Sequence, residues 1–258
     1  MAVEILYESD SFIIVNKPYD MYINSDDKDE KNTVAYHIGH HDSHRSTSSH
    51  PLHFVQRLDY STSGVLCIAK TKTAAAKAGK LFEKRATRKY YLGILRGSVP
   101  FDIADVRYDI GSDETPENTH KMVAVTSATS VCGRPRAAHT RILVLDTGYY
   151  NDEPVTLVMM KPITGRRHQL RVHCHAIGHT ILGDYTYSDR TDTAPSRMYL
   201  HAARLVLPLQ EEPLDIAAPE PFSDVLLSGK WQGQRFTFEE ACNTLDTSPT
   251  SIQYTLQT

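Results

Sequence analysis

A single carboxylate stands between an arginine and a hydroxyl-rich turn in the segment HFVQRLDYSTSG, residues 53–64. Asp59 lies two positions after Arg57, and a Ser-Thr-Ser run then leads to Gly64. An ionised carboxylate can act as a nucleophile or as a general base. Hydroxyl side chains can hold such a loop by bonding nearby backbone groups, and glycine permits backbone geometry that other residues resist. The segment therefore indicates a reacting carboxylate held at the start of a strand.

A second candidate segment, TGRRHQLRVHCH (164–175), carries three arginines and no acidic residue. The pattern predicts a short helix that ends at Gly178, with Arg167 and Arg171 one turn apart on the same face. Its Thr-Gly start places a helix N-terminus where a phosphate can bind. For Gln169 and His173 a structural role, with buried side chains satisfied by backbone hydrogen bonds, is an equally good interpretation.

Two other kinds of site are not supported. A Ser/Asp/His-rich stretch, residues 24–50, contains four histidines that would share one face if helical, but its composition and lack of period indicate a surface loop rather than a metal site. These histidines are His37, His40, His41 and His44. The serines after Asp59 lack the G-x-S-x-G elbow of serine hydrolases, so that class is excluded.

The net charge of −3 hides an uneven distribution of charge along the 258 residues. Eight basic residues against one acid, Glu83, fall in a single stretch: Lys70, Lys72, Lys77, Lys80, Lys84, Arg85, Arg88 and Lys89. Such a run is either a solvated helix face or part of a basic surface for nucleic acid.

The elements that must position these residues indicate an α+β fold. Two short strands flank a turn at Ser9–Asp10, GVLCIAKT has the pattern of a buried strand, and residues 71–86 predict a helix capped by Thr71 or Thr73. KYYLGILRG and MYLHAARLVLP read as strands, and TRILVLDTG with VTLVMMKP as a hairpin. Because strands and helices do not alternate strictly, we expect a mixed, mainly antiparallel central sheet with flanking helices.

Nothing in the sequence predicts a membrane or a secreted protein. There is no apolar run of the roughly 20 residues that a membrane span requires, and the N-terminus lacks a signal-peptide pattern. The four cysteines form no C-x-x-C pair. We therefore expect an intracellular protein, in the cytoplasm first and in mitochondria or the nucleus as alternatives, which acts as a monomer without a membrane partner.

Four segments together resemble the RluA-type RNA pseudouridine synthases, and look most like the eukaryotic RNA pseudouridylate synthase domain-containing proteins. They are QRLDYSTSG, KYYLGILRG, PITGRRHQLRVHCHAIGHTILGDYTY and YLHAARLVLP, in the family's order and at comparable spacing. The resemblance covers roughly residues 4–222. It implies the synthase fold over 1–228, with 24–50 as an insertion, 229–258 as a C-terminal extension and no separate N-terminal RNA-binding domain.

The resemblance also implies an activity, the isomerisation of a uridine in RNA to pseudouridine. No cofactor and no metal is expected, because the reaction has no net redox or phosphate step. The implied catalytic residues are Asp59, Tyr91 against the flipped uracil, and Arg171, which would keep Asp59 ionised. Tyr90, on the other face of the strand, is a poorer candidate than Tyr91, and for either tyrosine a structural role in the core is the alternative.

The implied partner is RNA, with tRNA or rRNA first and mRNA as a further option. Arg57 would fill the gap left by the flipped base, with a phosphate contact or a plain surface charge as the alternative. The other implied RNA-binding residues are Arg166, Arg167, His168, Gln169 and Lys89. The sequence departs from the family pattern at Gln56, where His is usual, and at Lys17-Pro18-Tyr19-Asp20, where K-P-x-G is usual. The alternative function is that of a non-catalytic RNA-binding protein that retains the fold.

Overall fold

The computed structural model describes residues 2–41, 52–129, 131–228, 230–233 and 235–256. In chain order these residues form the elements β1 (Glu4–Glu8), β2 (Phe12–Lys17), α1 (Val34–His41), β3 (His53–Phe54), β4 (Ser63–Ala69), α2 (Lys72–Glu83), β5 (Arg88–Arg96), β6 (Ile103–Val106), β7 (Ile110–Ser112), β8 (Met122–Ala124), β9 (Gly133–Arg136), β10 (Thr140–Tyr150), β11 (Glu153–Pro162), α3 (Gln169–Ala176), β12 (Leu200–Leu207), β13 (Leu214–Ala217), α4 (Ser223–Ser228), α5 (Phe238–Thr247) and β14 (Ile252–Tyr254).

The chain divides into two compact units. Unit 1 comprises residues 1–89 and 201–219, and unit 2 comprises residues 90–200 and 220–258. Two of the three boundaries fall within β5 and β12, and the third lies between β13 and α4. Both units contain a mixed sheet with few helices, so the predicted α+β class is confirmed.

The sheet of unit 1 has the order β1-β2-β4-β12, with β3 also paired to β4 and β13 to β12. Only β4 and β12 run parallel among these pairs, with Ser63 opposite His201 and Gly64 opposite Ala202. The other pairs are antiparallel. The order places β4, the strand that follows Asp59, between two long neighbours.

All seven residues of β4 are buried, as the apolar run predicted. Alternate side chains of a strand point to opposite faces, and Val65 and Cys67 accordingly pack in one apolar cluster while Leu66 and Ile68 pack in another. The first cluster is covered by α2 through Ala74 and Ala78, and the second by α1 through Val34 and Ile38. Helices on both faces explain why this strand shows no polar alternation.

The predicted helix after β4 is confirmed as α2, and it begins where the sequence indicated. The Thr71 side chain accepts a hydrogen bond from the Ala74 backbone N–H at 3.1 Å, which caps the helix. The basic residues of this region lie on or beside α2, and all eight are exposed or partly exposed.

Unit 2 contains two sheets. One has the order β5-β11-β10-β6-β14, antiparallel except for the β6–β14 pair, and the other has the order β8-β7-β9. The predicted hairpin is confirmed as β10 and β11, which pair from Thr140–Pro162 to Tyr150–Glu153. Leu170 and Cys174 of α3 pack in the main core of this unit.

Three parts of the chain differ from the sequence expectations. Residues 24–50 read as loop, but α1 lies within them and buries Val34 and Ile38. Residues 102–139 show only a weak pattern in the sequence, which predicts a strand at best in VAVTSA (123–128), but they form four strands, β6 to β9. The C-terminal extension, residues 229–258, is mostly polar in sequence, but it contains α5 and β14. Helix α5 starts with a capping box between Thr237 and Glu240. Whether a short or locally polar segment forms a helix or a strand depends on what it packs against, and a local sequence pattern does not show that.

Within the described residues, no helix combines the length and the apolar character needed to cross a membrane.

Candidate active site

Asp59 lies in unit 1, in the loop between β3 and β4, and its side chain is partly buried. The Thr62 backbone N–H donates to the Asp59 backbone oxygen at 3.1 Å and closes a tight turn directly after the carboxylate. Gly64 follows at the start of β4 with φ of +108°. A Cβ at this glycine would lie 2.2 Å from the Ala202 backbone oxygen. Both the positive φ and the close approach of the neighbouring strand therefore require glycine here.

Lys17 links this turn to the end of β2. Its Nζ donates to the backbone oxygens of Tyr60 at 2.8 Å, Met21 at 2.7 Å and Pro18 at 2.9 Å. The side chain is fully buried, and a buried cation is tolerated only when it is paired or hydrogen-bonded. The Lys-Pro turn is thus bonded to the residue directly after Asp59, and it restrains the loop that carries the carboxylate.

A buried pair of polar side chains joins β4 to β12 beside the turn. The Ser63 Oγ and the His201 Nδ1 lie 2.8 Å apart, and both residues are buried. The sequence predicted that hydroxyls of this turn bond nearby backbone, whereas the Ser63 hydroxyl reaches a histidine 138 positions away in the chain. No local pattern could identify that partner.

The remaining predicted residues of unit 1 differ in exposure. Arg57 is exposed, two positions before Asp59. Gln56 donates from Nε2 to the Val65 backbone oxygen at 3.0 Å, so this side chain anchors the loop to β4. Burial lowers the pKa of Lys89 from 10.5 to about 8, which leaves the ammonium mostly protonated at neutral pH.

Arg171 lies in unit 2 on α3, where it forms a two-point ion pair with Asp184. The Arg171 Nε lies 2.7 Å from Asp184 Oδ2, and Nη2 lies 2.8 Å from Oδ1, with both residues buried. The Arg171 Cζ also lies 5.0 Å from the centre of the Tyr187 ring, and the Tyr187 backbone N–H donates to Asp184 Oδ1. A paired and stacked guanidinium has a fixed orientation.

Asp184 and Tyr187 belong to GDYTY, a segment that the sequence predicted to be only a structural turn. The turn is structural, but it also supplies the carboxylate that orients Arg171. The sequence held one indication of an ion pair here: Asp184 is the first acidic residue after Glu153, and it follows three arginines. The sequence alone did not show which arginine it pairs with.

The predicted helical relation between Arg167 and Arg171 is wrong. The helix begins at Gln169, and His168 before it has a left-handed backbone with φ of +55°. Arg167 therefore lies in the preceding turn, where its Nη2 donates to the His120 backbone oxygen at 3.0 Å. The His168 Nδ1 lies 2.9 Å from the Tyr187 hydroxyl.

Gln169 is buried and organises the turn that carries Arg166. Its Oε1 accepts from the Arg166 backbone N–H at 3.0 Å and from the Thr164 hydroxyl at 2.6 Å. Its Nε2 donates to the His139 backbone oxygen at 2.9 Å. The Arg166 Nε donates to the Ala137 backbone oxygen at 3.0 Å. Gln169 thus fixes the shape of this turn.

His173 belongs to the same buried network. The Gln169 Nε2 donates to the Thr140 hydroxyl at 3.0 Å, and that hydroxyl lies 2.8 Å from His173 Nδ1. The His173 Nε2 lies 2.9 Å from the Tyr108 backbone oxygen, which can only accept, so Nε2 carries the hydrogen and Nδ1 accepts from Thr140. Burial lowers the pKa of His173 from 6.5 to about 4, and the ring is neutral at neutral pH.

Tyr91 lies on β5, opposite Met160 of β11, and packs partly buried against the core of unit 2. Its neighbour Tyr90 is 2% exposed. The Tyr90 hydroxyl donates to the Asp246 carboxylate, at 2.8 Å from Oδ1, and Lys161 Nζ lies 2.8 Å from the same oxygen. Tyr90 therefore anchors β5 to α5, which leaves Tyr91 as the better candidate for contact with a base.

The structure groups the predicted residues by unit. Arg57, Asp59 and Lys89 belong to unit 1, and the first two share one loop. Tyr91 and Arg171 belong to unit 2, together with the turn and helix start formed by residues 166–169. A single site made of Asp59, Tyr91 and Arg171 stays a prediction.

No group of three or more His, Cys, Asp or Glu side chains able to hold a metal occurs among the residues that the structure describes. His37 lies on α1, and His44 of the histidine cluster lies outside the described residues.

Comparison with known proteins assigns the chain a family. Residues 11–176 match the sequence model of a family described as RNA pseudouridylate synthase. That range contains Arg57, Asp59, Tyr91 and Arg171.

Curated relatives and solved structures agree with this match. RNA pseudouridylate synthase domain-containing protein 1 of Danio rerio is 43% identical over 231 residues, which cover 89% of this chain and 78% of the relative. The tRNA pseudouridine synthase C of Salmonella typhi is 31% identical over 254 residues, which cover 90% of this chain and 91% of the relative. A solved structure named Human RNA Pseudouridylate Synthase Domain Containing 1 superposes with a TM-score of 0.82 at 32% identity, over 96% of each chain.

Proposed function

Because the chain belongs to the RNA pseudouridylate synthase family, we propose that it isomerises a uridine of tRNA or rRNA to pseudouridine inside the cell, with Asp59 as the catalytic carboxylate. In this reaction the bond between the ribose C1′ and the uracil N1 breaks, and a bond between C1′ and C5 forms. The hydrogen on C5 leaves and N1 takes one up, so the atoms balance without an oxidant or a co-substrate.

The observation that carries the proposal is the construction of the Asp59 turn. Its backbone is closed by the Thr62 N–H, the next residue is bonded to a buried lysine, and Gly64 fits only as glycine. A reacting group held in one geometry lowers the entropic part of the barrier. The turn therefore holds a partly exposed carboxylate in a fixed position, as a reacting group requires.

The other proposed roles follow from the chemistry of the side chains. Arg57 is exposed beside Asp59, and a long planar cation suits the gap that a flipped uridine leaves in the stack. We propose that Tyr91 stacks on the face of the flipped uracil and that Arg171 keeps Asp59 ionised. Asp184 would orient Arg171 for this role. Asp59 can attack the sugar or the base as a nucleophile, or remove a proton from the sugar.

The test uses bulk tRNA and bulk rRNA incubated with the full chain, followed by chemical labelling of pseudouridine and mapping of the modified positions. Wild type should form pseudouridine, and Asp59→Asn should form none while retaining its thermal unfolding midpoint and its affinity for RNA. Asp10→Asn, at an exposed carboxylate in the β1–β2 turn of the same unit, is the matched control and should be active. Turnover by Asp59→Asn would remove this residue from the proposed role, and a wild type that binds RNA without modifying it would favour a binding protein.

A further inference from the structure

Two tyrosine rings contact each other at the surface beside the Asp59 loop. Tyr22 and Tyr60 have ring centroids 4.6 Å apart and an angle of 50° between their planes. Even in contact they remain exposed, at 48% for Tyr22 and 40% for Tyr60. We refer to Tyr22 and Tyr60 as the tyrosine pair. Contact between two aromatic rings normally serves to bury them, so a pair left this exposed offers its faces to a partner.

The backbone under both rings is held in place. The Tyr60 oxygen accepts from Lys17 Nζ and from the Met21 backbone N–H at 3.2 Å. The Tyr22 N–H donates to the Asn32 backbone oxygen at 3.1 Å, and the Tyr22 oxygen accepts from the Val34 N–H at 2.9 Å. Because the two loops are bonded to each other and to α1, little further ordering is needed when a ligand binds to the rings.

The charges around the pair indicate which part of a nucleic acid it suits. Burial raises the pKa of the Tyr60 hydroxyl, and the nearby Asp20, Tyr22 and Glu30 raise it further. The phenol is therefore neutral, and two carboxylates lie close enough to affect it. Carboxylates disfavour a phosphate at this place, but they do not oppose an uncharged base that stacks on an aromatic face.

We propose that the tyrosine pair is a stacking site for an unpaired nucleobase of the RNA, next to the uridine that reacts. This inference rests on the proposed function and adds to it a place where a second base is held. The proposed position rests on the chain order: Tyr60 directly follows Asp59, and consecutive Cα atoms are about 3.8 Å apart. Stacking on an aromatic ring tolerates every base, so the pair selects for an unpaired neighbour rather than for its identity.

The test measures affinity for two fluorescent single-stranded probes, an oligouridylate and an oligonucleotide of the same length whose nucleotides are abasic. Tyr22→Ala and Tyr60→Ala should each weaken binding of the oligouridylate by about fivefold to a hundredfold, as the loss of one base stack predicts. Both should bind the abasic probe as wild type does. Tyr22→Phe and Tyr60→Phe keep the ring and should bind both probes normally. Tyr149→Ala is the matched control, because Tyr149 on β10 is 48% exposed, as Tyr22 is.

The salt dependence of binding separates stacking from charge. Loss of a phosphate contact reduces the slope of log affinity against log salt concentration, and the tyrosine variants should leave that slope unchanged. Four results would each overturn the proposal. They are an unchanged affinity of the alanine variants for the oligouridylate, a reduced salt slope in those variants, an equal loss of affinity in the phenylalanine variants, and no binding of the oligouridylate by wild type. Unchanged affinity together with lost self-association in light scattering would assign the pair to an interface between copies.

Failure of the stacking proposal can be distinguished from failure of the proposed function. Formation of pseudouridine is measured on bulk RNA with wild type, whereas stacking is measured by binding alone. Thermal unfolding of every variant identifies those that fail to fold, and the phenylalanine variants, which change only the hydroxyl, keep the comparison interpretable.

Discussion

Protonation of the buried His173 should destabilise the folded protein in acid, and the size of the effect follows from its environment. The ring accepts at Nδ1 from the Thr140 hydroxyl and donates from Nε2 to the Tyr108 backbone oxygen. A proton added at Nδ1 would place a charge in the core and remove that acceptor. Burial is the main reason that the pKa falls from 6.5 to about 4; the hydrogen bond to the Tyr108 backbone opposes this shift, and the electrostatic effect of His139 contributes to it.

The sign follows from comparing the two states. The unfolded chain binds a proton at His173 near pH 6.5, whereas the folded chain does so only near pH 4. Between these values the unfolded state carries more protons, so the free energy of unfolding falls as the pH falls. The stabilisation is complete above pH 6.5 and is lost by the time the pH reaches about 4. Because each tenfold change in proton affinity corresponds to about 1.4 kcal/mol, the loss is about 3 kcal/mol.

The assay is urea unfolding followed by tryptophan fluorescence at a series of pH values from about 7 down to about 4.5. The chain has one tryptophan, Trp231, which belongs to unit 2 as His173 does. Acidic residues also titrate in this range, so the quantity compared is the difference between wild type and His173→Gln. The variant should be less stable at neutral pH and should show a shallower dependence on pH.

The control is His175→Gln, which changes an exposed histidine on the same helix. It should reproduce the wild-type dependence on pH. Identical slopes in wild type and His173→Gln would refute the reasoning, because the proton would then bind elsewhere.

Two further predictions concern the Asp59 loop. Lys17→Met keeps the length of the side chain but removes the donor to the Tyr60, Met21 and Pro18 oxygens. We therefore expect the free energy of unfolding in urea to fall by about 2 kcal/mol or more and turnover to be lower. Unchanged turnover would show that the loop is ordered without this lysine. Gly64→Ala introduces a Cβ 2.2 Å from the Ala202 backbone oxygen at a φ of +108° and should lower the thermal unfolding midpoint sharply. The same change at Gly79, which lies within α2 with open space around it, should instead stabilise by about 1 kcal/mol, and equal effects at the two glycines would contradict the steric argument.

Local signals in the sequence were sufficient for several elements. The apolar run 65–69 predicted a buried strand, and a threonine before an alanine-rich segment, Thr71 or Thr73, predicted the start of α2, which Thr71 caps. Both depend on residues within a few positions of each other, which is the range over which strand alternation and helix capping act. The capping box of α5 has the same kind of local signature, Thr237 followed by Glu240, but the polar character of the surrounding tail concealed it.

Contacts between distant parts of the chain were decided by packing. His168 has a left-handed backbone, which delays the start of α3 and separates Arg167 from the helix. Gln169, predicted as an RNA-binding residue, is buried and holds its own turn and the backbone of residue 139. The types of these residues identified them as candidates, but the orientation of each side chain depended on which groups the fold placed around it.

The sequence by itself determined which residues are candidates for the chemistry, because their types and short-range spacing carry the family's motifs. Only the tertiary structure showed what holds them: Lys17 beneath the residue after Asp59, His201 against Ser63, and Asp184 against Arg171. The physical reason is that a buried polar group must find its partner wherever the folded chain supplies one, and that partner can stand anywhere in the sequence.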